Sequence, residues 1–586
     1  PRSTPLYSSA ASDVYKRQIE ENAALRNEIL PRFPELAAMP PNGIEQQEIA
    51  NALRDQDGFN WGYDPFHYNV PEGSYSTNPS GTTRIVEFRD MVRALNKSDL
   101  RVVMDVVYNH TASSGQSATS VLDKVVPGYY HRLNGDGQIE TSTCCANTAS
   151  EHAMMRKLMV DSLVQWAKAY KVDGFRFDLM GHHMKADMLA VRQALNSLTI
   201  ARDGVDGKKI LLYGEGWNFG EVADGRRGVN ATQRNMPGTG IATFSDRLRD
   251  AVRGGGPFDS GEGAKKQGFI NGLFYDPNSL NQGTPDEQKA ALLRATDMIR
   301  LGMAGNLASF TLTNSLGSVV RGEDVDYNGS PAGYTKDPQE VITYIEAHDN
   351  ETLFDASQIK LPVGTSLADR VRVQNLGMSI VMLGQGVPFF QAGQEFLRSK
   401  SGDRNSYNSG DWFNRVDWEL QEHNWGSGLP IQGDNNNNWP VLQPLLGNPA
   451  LKPGAAEMDN AYEHFRELLR IRKGSPLFRL RTAADVQARL SYLNEGSNQI
   501  PGLIVMQLSD TVAPDLDPRL ERIVVFVNAN DEPVRFSAAQ LAGQRYRLHR
   551  ELRGSHDPVV RGARFDVATN TFSIPARTTA VFTDRP

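Results

Sequence analysis

Residues 172–179 read VDGFRFDL, a short apolar run that carries charged residues at Arg176 and Asp178. A run of this length with aromatic residues in alternation is typical of a buried β-strand. Successive side chains of a strand point to opposite faces, so Arg176 and Asp178 leave the strand on the same side. The end of this strand is therefore the first candidate for a functional site.

Elsewhere in the chain, similar runs alternate with amphipathic segments. Further strands are predicted at residues 101–107, 209–213, 341–345 and 389–392, and helices at 155–166, 186–198 and 369–382. Strands that alternate with helices indicate βαβ units and a parallel sheet. For a chain of 586 residues, we predict an α/β fold with a (β/α)8 TIM-type barrel. A doubly wound sheet is the alternative.

The pattern changes after a last predicted helix at residues 461–472, which ends before Gly474-Ser475-Pro476. Beyond it, runs typical of strands lie at 502–508, 522–527 and 571–574, and a helical pattern occurs only near 538–541. We interpret residues 59–476 as the barrel and residues 477–586 as a C-terminal antiparallel β-sandwich domain.

Composition excludes several classes of protein. A net charge of -7 argues against general affinity for nucleic acid. No apolar run approaches the roughly 20 residues that span a bilayer, so we expect no transmembrane segment. Cys144 and Cys145 are the only cysteines and are adjacent. Their Cα atoms must lie about 3.8 Å apart, closer than in ordinary disulfides, which favours two free thiols.

Polar side chains follow four of the predicted strands. They are Asp105, Asn109 and His110; Arg176 and Asp178; Glu215 and Trp217; and His348 and Asp349. The active sites of (β/α) barrels lie at this end of the strands. Glycoside hydrolysis needs one protonated carboxyl and one carboxylate across the sugar. Arg176 would keep Asp178 ionised as a nucleophile, and the apolar YGEGW turn would keep Glu215 protonated as an acid.

Several motifs resemble the four signature regions of glycoside hydrolase family 13, the α-amylase family. These are DVVYNH (105–110), GFRFDLM (174–180), YGEGW (213–217) and EAHDN (346–350). The segment FNWGYDP (59–65) resembles a motif of type I pullulanases, with Phe59 in place of tyrosine. The resemblance covers nearly everything from Asn60 onward, and the last hundred residues fit more loosely.

The resemblance implies a retaining hydrolase that cuts α-1,6-glucosidic linkages in pullulan, amylopectin and limit dextrins. Asp178 would be the nucleophile, Glu215 the acid/base and Asp349 the transition-state stabiliser, while Asp105 would support its strand. The implied substrate-binding residues are Tyr63, Asp64, His110, Arg176, His182, Trp217 and His348.

The resemblance also bears on partners and cofactors. It implies an α-glucan substrate, no required cofactor, a monomer, and an exported bacterial enzyme that is extracellular or bound to the cell surface. Relatives can carry a vicinal disulfide, which would join Cys144 and Cys145. Calcium binding is left open, and the sequence commits to no metal ligand. His182-His183 and the segment 324–329 imitate metal motifs, but we interpret the latter as a turn.

The front of the chain departs from the family. Residues 1–18 show no periodicity, and we interpret them as a leader foreign to the protein. Residues 19–58 are expected to be a loop or helical insertion, because no strand precedes FNWGYDP. The first two barrel strands would then be missing, and exposed sheet edges favour aggregation. We therefore expect an N-terminally truncated chain that is inactive or insoluble by itself.

Two alternatives to this function remain. Within the same family, an isoamylase or an amylase that cuts α-1,4 linkages shares the signature regions. In another class, a non-catalytic α-glucan-binding protein would share the fold, although the presence of all three carboxylates disfavours it. The products formed from pullulan would separate the enzymes.

Overall fold

The computed structural model describes residues 32–54, 63–65, 67–78 and 81–584, which form two compact units. We call them the 63–244 unit and the 245–584 unit, and the second also contains residues 33–54. The predicted leader at 1–18, residues 19–31 and 55–58 of the predicted insertion, and Phe59 lie outside the described residues.

The 63–244 unit is built on four parallel strands in spatial order β1-β2-β3-β4. They are β1 (Val103–Val106), β2 (Gly174–Phe177), β3 (Leu211–Gly214) and β4 (Ala242–Phe244). The sequence predicts the first three. It misses β4, because three residues are too few to show a period. Among the described strands, these pairings do not close into a barrel.

Helices cover one side of these strands. Their bounds are Thr83–Lys97, Leu122–Val125, Ala153–Gln165, Lys185–Asn196 and Ile200–Asp203, and Trp166–Tyr170 forms a π-helical turn. A hairpin pairs His110–Thr111 with Ala146–Asn147. Phe175 and Phe177 of β2 are fully buried in the apolar core with Leu163 and Trp166. Burying each such ring contributes about 1.5–3 kcal/mol, so the apolar face of β2 fixes where its polar face points.

In the 245–584 unit, β5 (Val341–Thr343) pairs in parallel with β6 (Val387–Pro388). The strand predicted at residues 389–392 is therefore wrong, because the observed strand ends at Pro388. The chain turns shortly afterwards at Gly393, which has a φ of 97°. The α-helices are Phe33–Ala38, Glu45–Leu53, Asp246–Arg253, Pro285–Met303, Leu353–Lys360, Leu367–Leu383, Gly410–Asn414, Gln432–Asn435, Trp439–Leu446, Ala455–Gly474, Ala483–Arg489 and Arg550–Arg553. Short hairpins pair Thr311–Thr313 with Val319–Arg321 and Asp326–Tyr327 with Ser330–Pro331.

The last hundred residues are rich in antiparallel strands, as the sequence predicts. One sheet has the spatial order Leu490–Tyr492, Leu503–Ser509, Arg522–Asn528, Thr578–Thr583, Arg547–Leu548. A second has the order Val534–Phe536, Thr571–Ile574, Arg564–Asp566. The central strand Arg522–Asn528 is buried almost throughout, which explains its continuous apolar sequence.

Candidate active site

The register of the parallel strands gathers the polar side chains of the 63–244 unit. Asp105 of β1 is level with Arg176 of β2, and Arg176 is level with Tyr213 of β3. Beyond the strands, the amide of Asp178 donates to the carbonyl of Val106 at 3.0 Å and that of Glu215 donates to Phe177 at 3.1 Å. Asp178 and Glu215 therefore occupy the ends of adjacent strands.

Arg176 is the centre of this site. Its Nη1 lies 2.9 Å from Oδ1 of Asp105 and 3.1 Å from Oδ1 of Asp178, and its Nη2 lies 2.9 Å from Oε1 of Glu215. Its side chain is only 8% exposed. Burial by itself lowers the pKa of Arg176, but Asp105 and Glu215 outweigh burial and raise the pKa above its ordinary value. The guanidinium thus holds three carboxylates together.

Glu215 differs from its predicted surroundings. The sequence places it in an apolar turn, whereas the structure gives its carboxylate two donors, Arg176 and the amide of Leu179 at 2.9 Å. Both donors stabilise the ionised carboxylate. The surroundings of this carboxyl are therefore more polar than the sequence suggests.

Leu179 reaches Glu215 through an uncommon backbone conformation. Its φ and ψ are 40° and 48°, in the left-handed region. A non-glycine residue with a side chain as large as leucine adopts this region at a cost of roughly 1–2 kcal/mol. The conformation turns the chain directly after Asp178 and aims the Leu179 amide at the neighbouring carboxylate.

A hydrogen-bond chain supports Asp178 from the other side. Asn109 donates from Nδ2 to Oδ2 of Asp178 at 2.9 Å. His110 contacts Oδ1 of Asn109 at 2.6 Å through Nδ1 and the carbonyl of Tyr63 at 2.7 Å through Nε2. The Tyr63 hydroxyl donates to Asp105 at 2.5 Å, and burial followed by the Asp105 charge raises the pKa of that hydroxyl. Asp105 therefore supports the site through Tyr63 and Arg176.

The other predicted substrate-binding residues of this unit differ in how far their side chains are exposed to solvent. Asp64 is exposed and Trp217 is half-buried, whereas His182 is only 1% exposed. The His182 ring packs against Phe219, and its Nε2 lies 3.1 Å from Oγ of Ser142. Burial lowers the pKa of His182 to about 4, which keeps its ring neutral. In the ligand-free structure, His182 is therefore covered.

The structure joins Cys144 and Cys145 by a disulfide. The expectation of free thiols, which is based on the distance between adjacent Cα atoms, is wrong, and the bond implied by the family resemblance is present. The disulfide lies beside His110, whose Nε2 is 3.9 Å from Sγ of Cys144.

His348 and Asp349 belong to the 245–584 unit and follow β5. The carboxylate of Asp349 is 64% exposed, and its Oδ1 lies 3.6 Å from Nε2 of His348, which is 28% exposed. Asn350, the next residue, is left-handed with a φ of 62°. This loop therefore presents Asp349 to solvent.

Buried cations hold the backbone of this loop. Lys400, which is fully buried, donates from Nζ to the carbonyls of His348 at 3.0 Å and Asn350 at 2.6 Å. Arg253 donates to the carbonyls of Ile345 and Glu351, each at 3.2 Å. Burial lowers the pKa of Lys400. Sequence reasoning misses both residues, since neither lies near the loop in the chain.

Glu346 completes the support of the loop. Its fully buried carboxylate accepts a hydrogen bond from the Leu353 amide at 2.9 Å, which closes the segment that contains Asp349. Burial raises the pKa of Glu346 to about 8. Its place in the EAHDN motif was the signal in the sequence that could have identified it.

The predicted metal features have plain explanations. Asn328 and Gly329 form the tip of a hairpin, which confirms the turn predicted for that segment. In the part of the chain that the structure describes, one group of clustered potential metal ligands occurs, at Asp64, His110, Cys144 and Cys145. Calcium prefers sets of oxygen ligands, whereas this group contains two sulfurs. The group therefore gives no support to calcium binding, which the sequence leaves open. Across the described ranges, no helix is long and apolar enough to cross a bilayer.

The chain is similar in sequence to known pullulanases. Residues 420–585 match the C-terminal family model of pullulanase-type α-1,6-glucosidases. The chain is 47% identical to pullulanase 1, chloroplastic, of Arabidopsis thaliana, and the match covers 94% of the chain and 57% of that protein. It is 42% identical to a pullulanase of Klebsiella pneumoniae, over 98% of the chain and 53% of that protein.

A solved structure extends the likeness to the fold. The crystal structure of the Klebsiella pneumoniae pullulanase complexed with maltotriose superposes with a TM-score of 0.87 at 43% identity, covering 92% of this chain and 50% of that chain. The chain is therefore similar to pullulanases over most of its length, and it spans little more than half the length of the curated relatives it matches.

Proposed function

We propose that the chain carries the catalytic centre of a starch-debranching hydrolase that cleaves α-1,6-glucosidic bonds in pullulan, amylopectin and limit dextrins with retention of configuration. The observation that carries the proposal is the contact of one guanidinium with both Asp178 and Glu215. Retaining enzymes need carboxyl groups only about 5–5.5 Å apart, and two carboxylates on one guanidinium fit that short separation.

The mechanism assigns a role to each carboxylate. Asp178 attacks the anomeric carbon while Glu215 donates a proton to the leaving oxygen, which gives a covalent glycosyl-enzyme. Glu215 then takes a proton from water, and the resulting attack releases the sugar and restores Asp178. Glu215 contacts Arg176 in the ligand-free structure, so the mechanism requires that it carries a proton when substrate is bound. Asp349 is proposed as the transition-state stabiliser.

The proposal extends to substrate contacts and to the wider protein. Tyr63, Asp64, His110, Arg176, Trp217 and His348 would bind the glucan, and His182 would contribute only if its cover moves. The family likeness supports a (β/α)8 barrel over residues 59–476, followed by a β-sandwich domain. A monomeric, exported enzyme with no required cofactor belongs to the same proposal.

Pullulan digestion tests the function. The chain spans little more than half the length of its relatives. Both residues 1–586 and the longest reading frame that contains them are therefore assayed. Maltotriose as the product, released first as the α-anomer by NMR, is expected. Panose or maltose would indicate an α-1,4-cutting enzyme, and binding of pullulan without turnover in either protein would indicate a non-catalytic glucan-binding protein.

Asp178→Ala provides the matched variant. It should lower kcat by at least about 10⁴-fold, because the covalent route is lost, and leave pullulan binding nearly intact. Unchanged turnover would refute the assignment. Robust activity of residues 1–586 alone would contradict the separate expectation that this chain is inactive by itself.

A further inference from the structure

Four side chains near the candidate active site could together bind a metal ion. Asp64, His110, Cys144 and Cys145 each offer a ligand atom, and these atoms all lie within 4.8 Å of one another. His110 is buried, Cys145 is half-buried, and Asp64 and Cys144 are exposed. The group therefore combines a firmly held imidazole with ligands that a metal ion from solvent can reach.

The distances in this group suit tetrahedral coordination. Sγ of Cys144 lies 3.9 Å from Nε2 of His110, and Sγ of Cys145 lies 3.5 Å from Oδ1 of Asp64. Bonds of about 2.0–2.3 Å to zinc place neighbouring ligand atoms of a tetrahedron roughly 3.3–3.8 Å apart. Both pairs are already close to that separation, and the two sulfurs must move apart.

The disulfide prevents this coordination, because a metal ion binds thiolates. We propose that reduction of the Cys144–Cys145 disulfide creates a binding site for one thiophilic divalent cation, Zn²⁺ or Cd²⁺, held by both thiolates, His110 and Asp64. Sulfur ligands exclude Ca²⁺ and Mg²⁺, which prefer oxygen.

Reduction of the disulfide and binding of the metal are two separate steps. A trialkylphosphine breaks the S–S bond and, with one water molecule, becomes the phosphine oxide, while each sulfur gains one electron and one proton. The metal ion then displaces the two thiol protons, which pass to the buffer. Nε2 of His110 must also give up its contact with the Tyr63 carbonyl in order to bind the metal.

Metal binding has a consequence for catalysis that rests on the proposed function. His110 is linked through Asn109 to Asp178, so a metal that takes its ring disturbs both the proposed sugar contact and the support of the nucleophile. In whichever of the two assayed proteins is active, the metal-loaded, reduced form should therefore hydrolyse pullulan at least about tenfold more slowly than the reduced, metal-free form. The binding itself does not depend on the proposed function.

Titration with Cd²⁺ tests the site. The full chain is reduced with the phosphine, freed of reagent without oxygen, and assayed for two thiols and for an unchanged circular dichroism spectrum. One Cd²⁺ per reduced chain is expected, with thiolate-to-cadmium absorption in the ultraviolet, and none per oxidised chain. A disulfide that resists the phosphine in the folded protein, or a reduced protein that binds no Cd²⁺, would overturn the proposal.

Variants assign the ligands. In the reduced protein, Cys145→Ser should abolish most of the charge-transfer absorption, and Asp64→Asn should weaken Cd²⁺ binding by about tenfold, equivalent to about 1.4 kcal/mol. Asp136→Asn, an exposed aspartate outside the group, is the matched control and should change nothing. Equal affinity in Asp64→Asn and Asp136→Asn would remove Asp64 from the site. Because absorption needs no turnover, this result stays separate from failure of the proposed function.

Discussion

The two units hold their proposed catalytic carboxylates in different ways. In the 63–244 unit, Asp178 and Glu215 are 13% and 10% exposed and contact the Arg176 side chain directly. In the 245–584 unit, Asp349 is 64% exposed, and the buried cations Lys400 and Arg253 hold the backbone around it. The first arrangement fixes the carboxylates themselves, whereas the second fixes only the loop that carries one.

The backbone conformation after each carboxylate differs in the same way between the two units. Leu179 and Asn350, the residues that follow Asp178 and Asp349, both have positive φ. Asparagine adopts the left-handed region readily and leucine does not. The strained turn after Asp178 gives Glu215 a hydrogen bond, whereas the relaxed turn after Asp349 places the Asn350 carbonyl against Lys400. We infer that Asp178 and Glu215 are pre-organised for their proposed roles, while Asp349 keeps the freedom to follow the sugar.

The largest effect should come from Arg176→Met. The substitution leaves Asp105, Asp178 and Glu215 close together and without their shared cation, so their charges repel. Breaking a buried ion pair typically lowers the free energy of unfolding by about 3–5 kcal/mol. Chemical denaturation measures this loss, and hydrolysis of pullulan should fall by at least about 10³-fold.

Arg93→Met is the control for that variant. Arg93 pairs with Asp90 at 2.9 Å, but both side chains are more than half exposed, so the loss should be at most about 1 kcal/mol. Equal stability losses in the two variants would contradict the central role of Arg176.

A smaller effect is expected from Lys400→Met. It removes the donor to the carbonyls of His348 and Asn350, and each buried carbonyl left without a partner costs about 1–3 kcal/mol. Because the loop that carries Asp349 loses its support, kcat for pullulan should fall more than KM rises. Steady-state kinetics and denaturation measure both effects.

Lys157→Met serves as the comparison, since Lys157 forms a pair with Asp161 in which both side chains are about 60% exposed. It should leave kcat and stability nearly unchanged. A Lys400 variant with normal kcat and reduced stability would show that the loop carbonyls matter for folding but not for catalysis.

The smallest effect concerns pH and Glu346→Gln. Burial raises the pKa of Glu346 from 4.5 to about 8, so the folded protein binds a proton that the unfolded chain has released in this range. Its contribution to stability is therefore complete below pH 4.5 and decreases as pH rises towards 8. One such proton changes the free energy of unfolding by up to about 1.4 kcal/mol per pH unit.

Between pH 6.5 and 8, Lys360 also contributes with the opposite sign, because burial lowers its pKa to about 8. Parent and variant share that contribution, so the decrease in the free energy of unfolding with rising pH should be smaller for Glu346→Gln than for the parent chain. The exposed Glu262→Gln should keep the parent's slope, and an equal slope in all three would refute the role of Glu346.

The predictions from sequence succeed where a signal is local. The apolar run of β2 and the charged residues at its end predict a strand whose polar face carries Arg176 and Asp178, because alternation is a property of any strand. Three-residue strands such as β4 and the position of β6 are not predicted correctly, since so few residues carry no period and pairing with a neighbour defines them.

The sequence by itself indicated the α/β alternation, the resemblance to pullulanases and the candidate residues Asp178, Glu215 and Asp349, because each depends on residues close together in the chain. Only the tertiary structure decided how those carboxylates are held. Arg176 meets Glu215 through strand register, and Lys400 reaches His348 across 52 positions of the chain. Burial and long-range pairing set those contacts, and no local pattern encodes them.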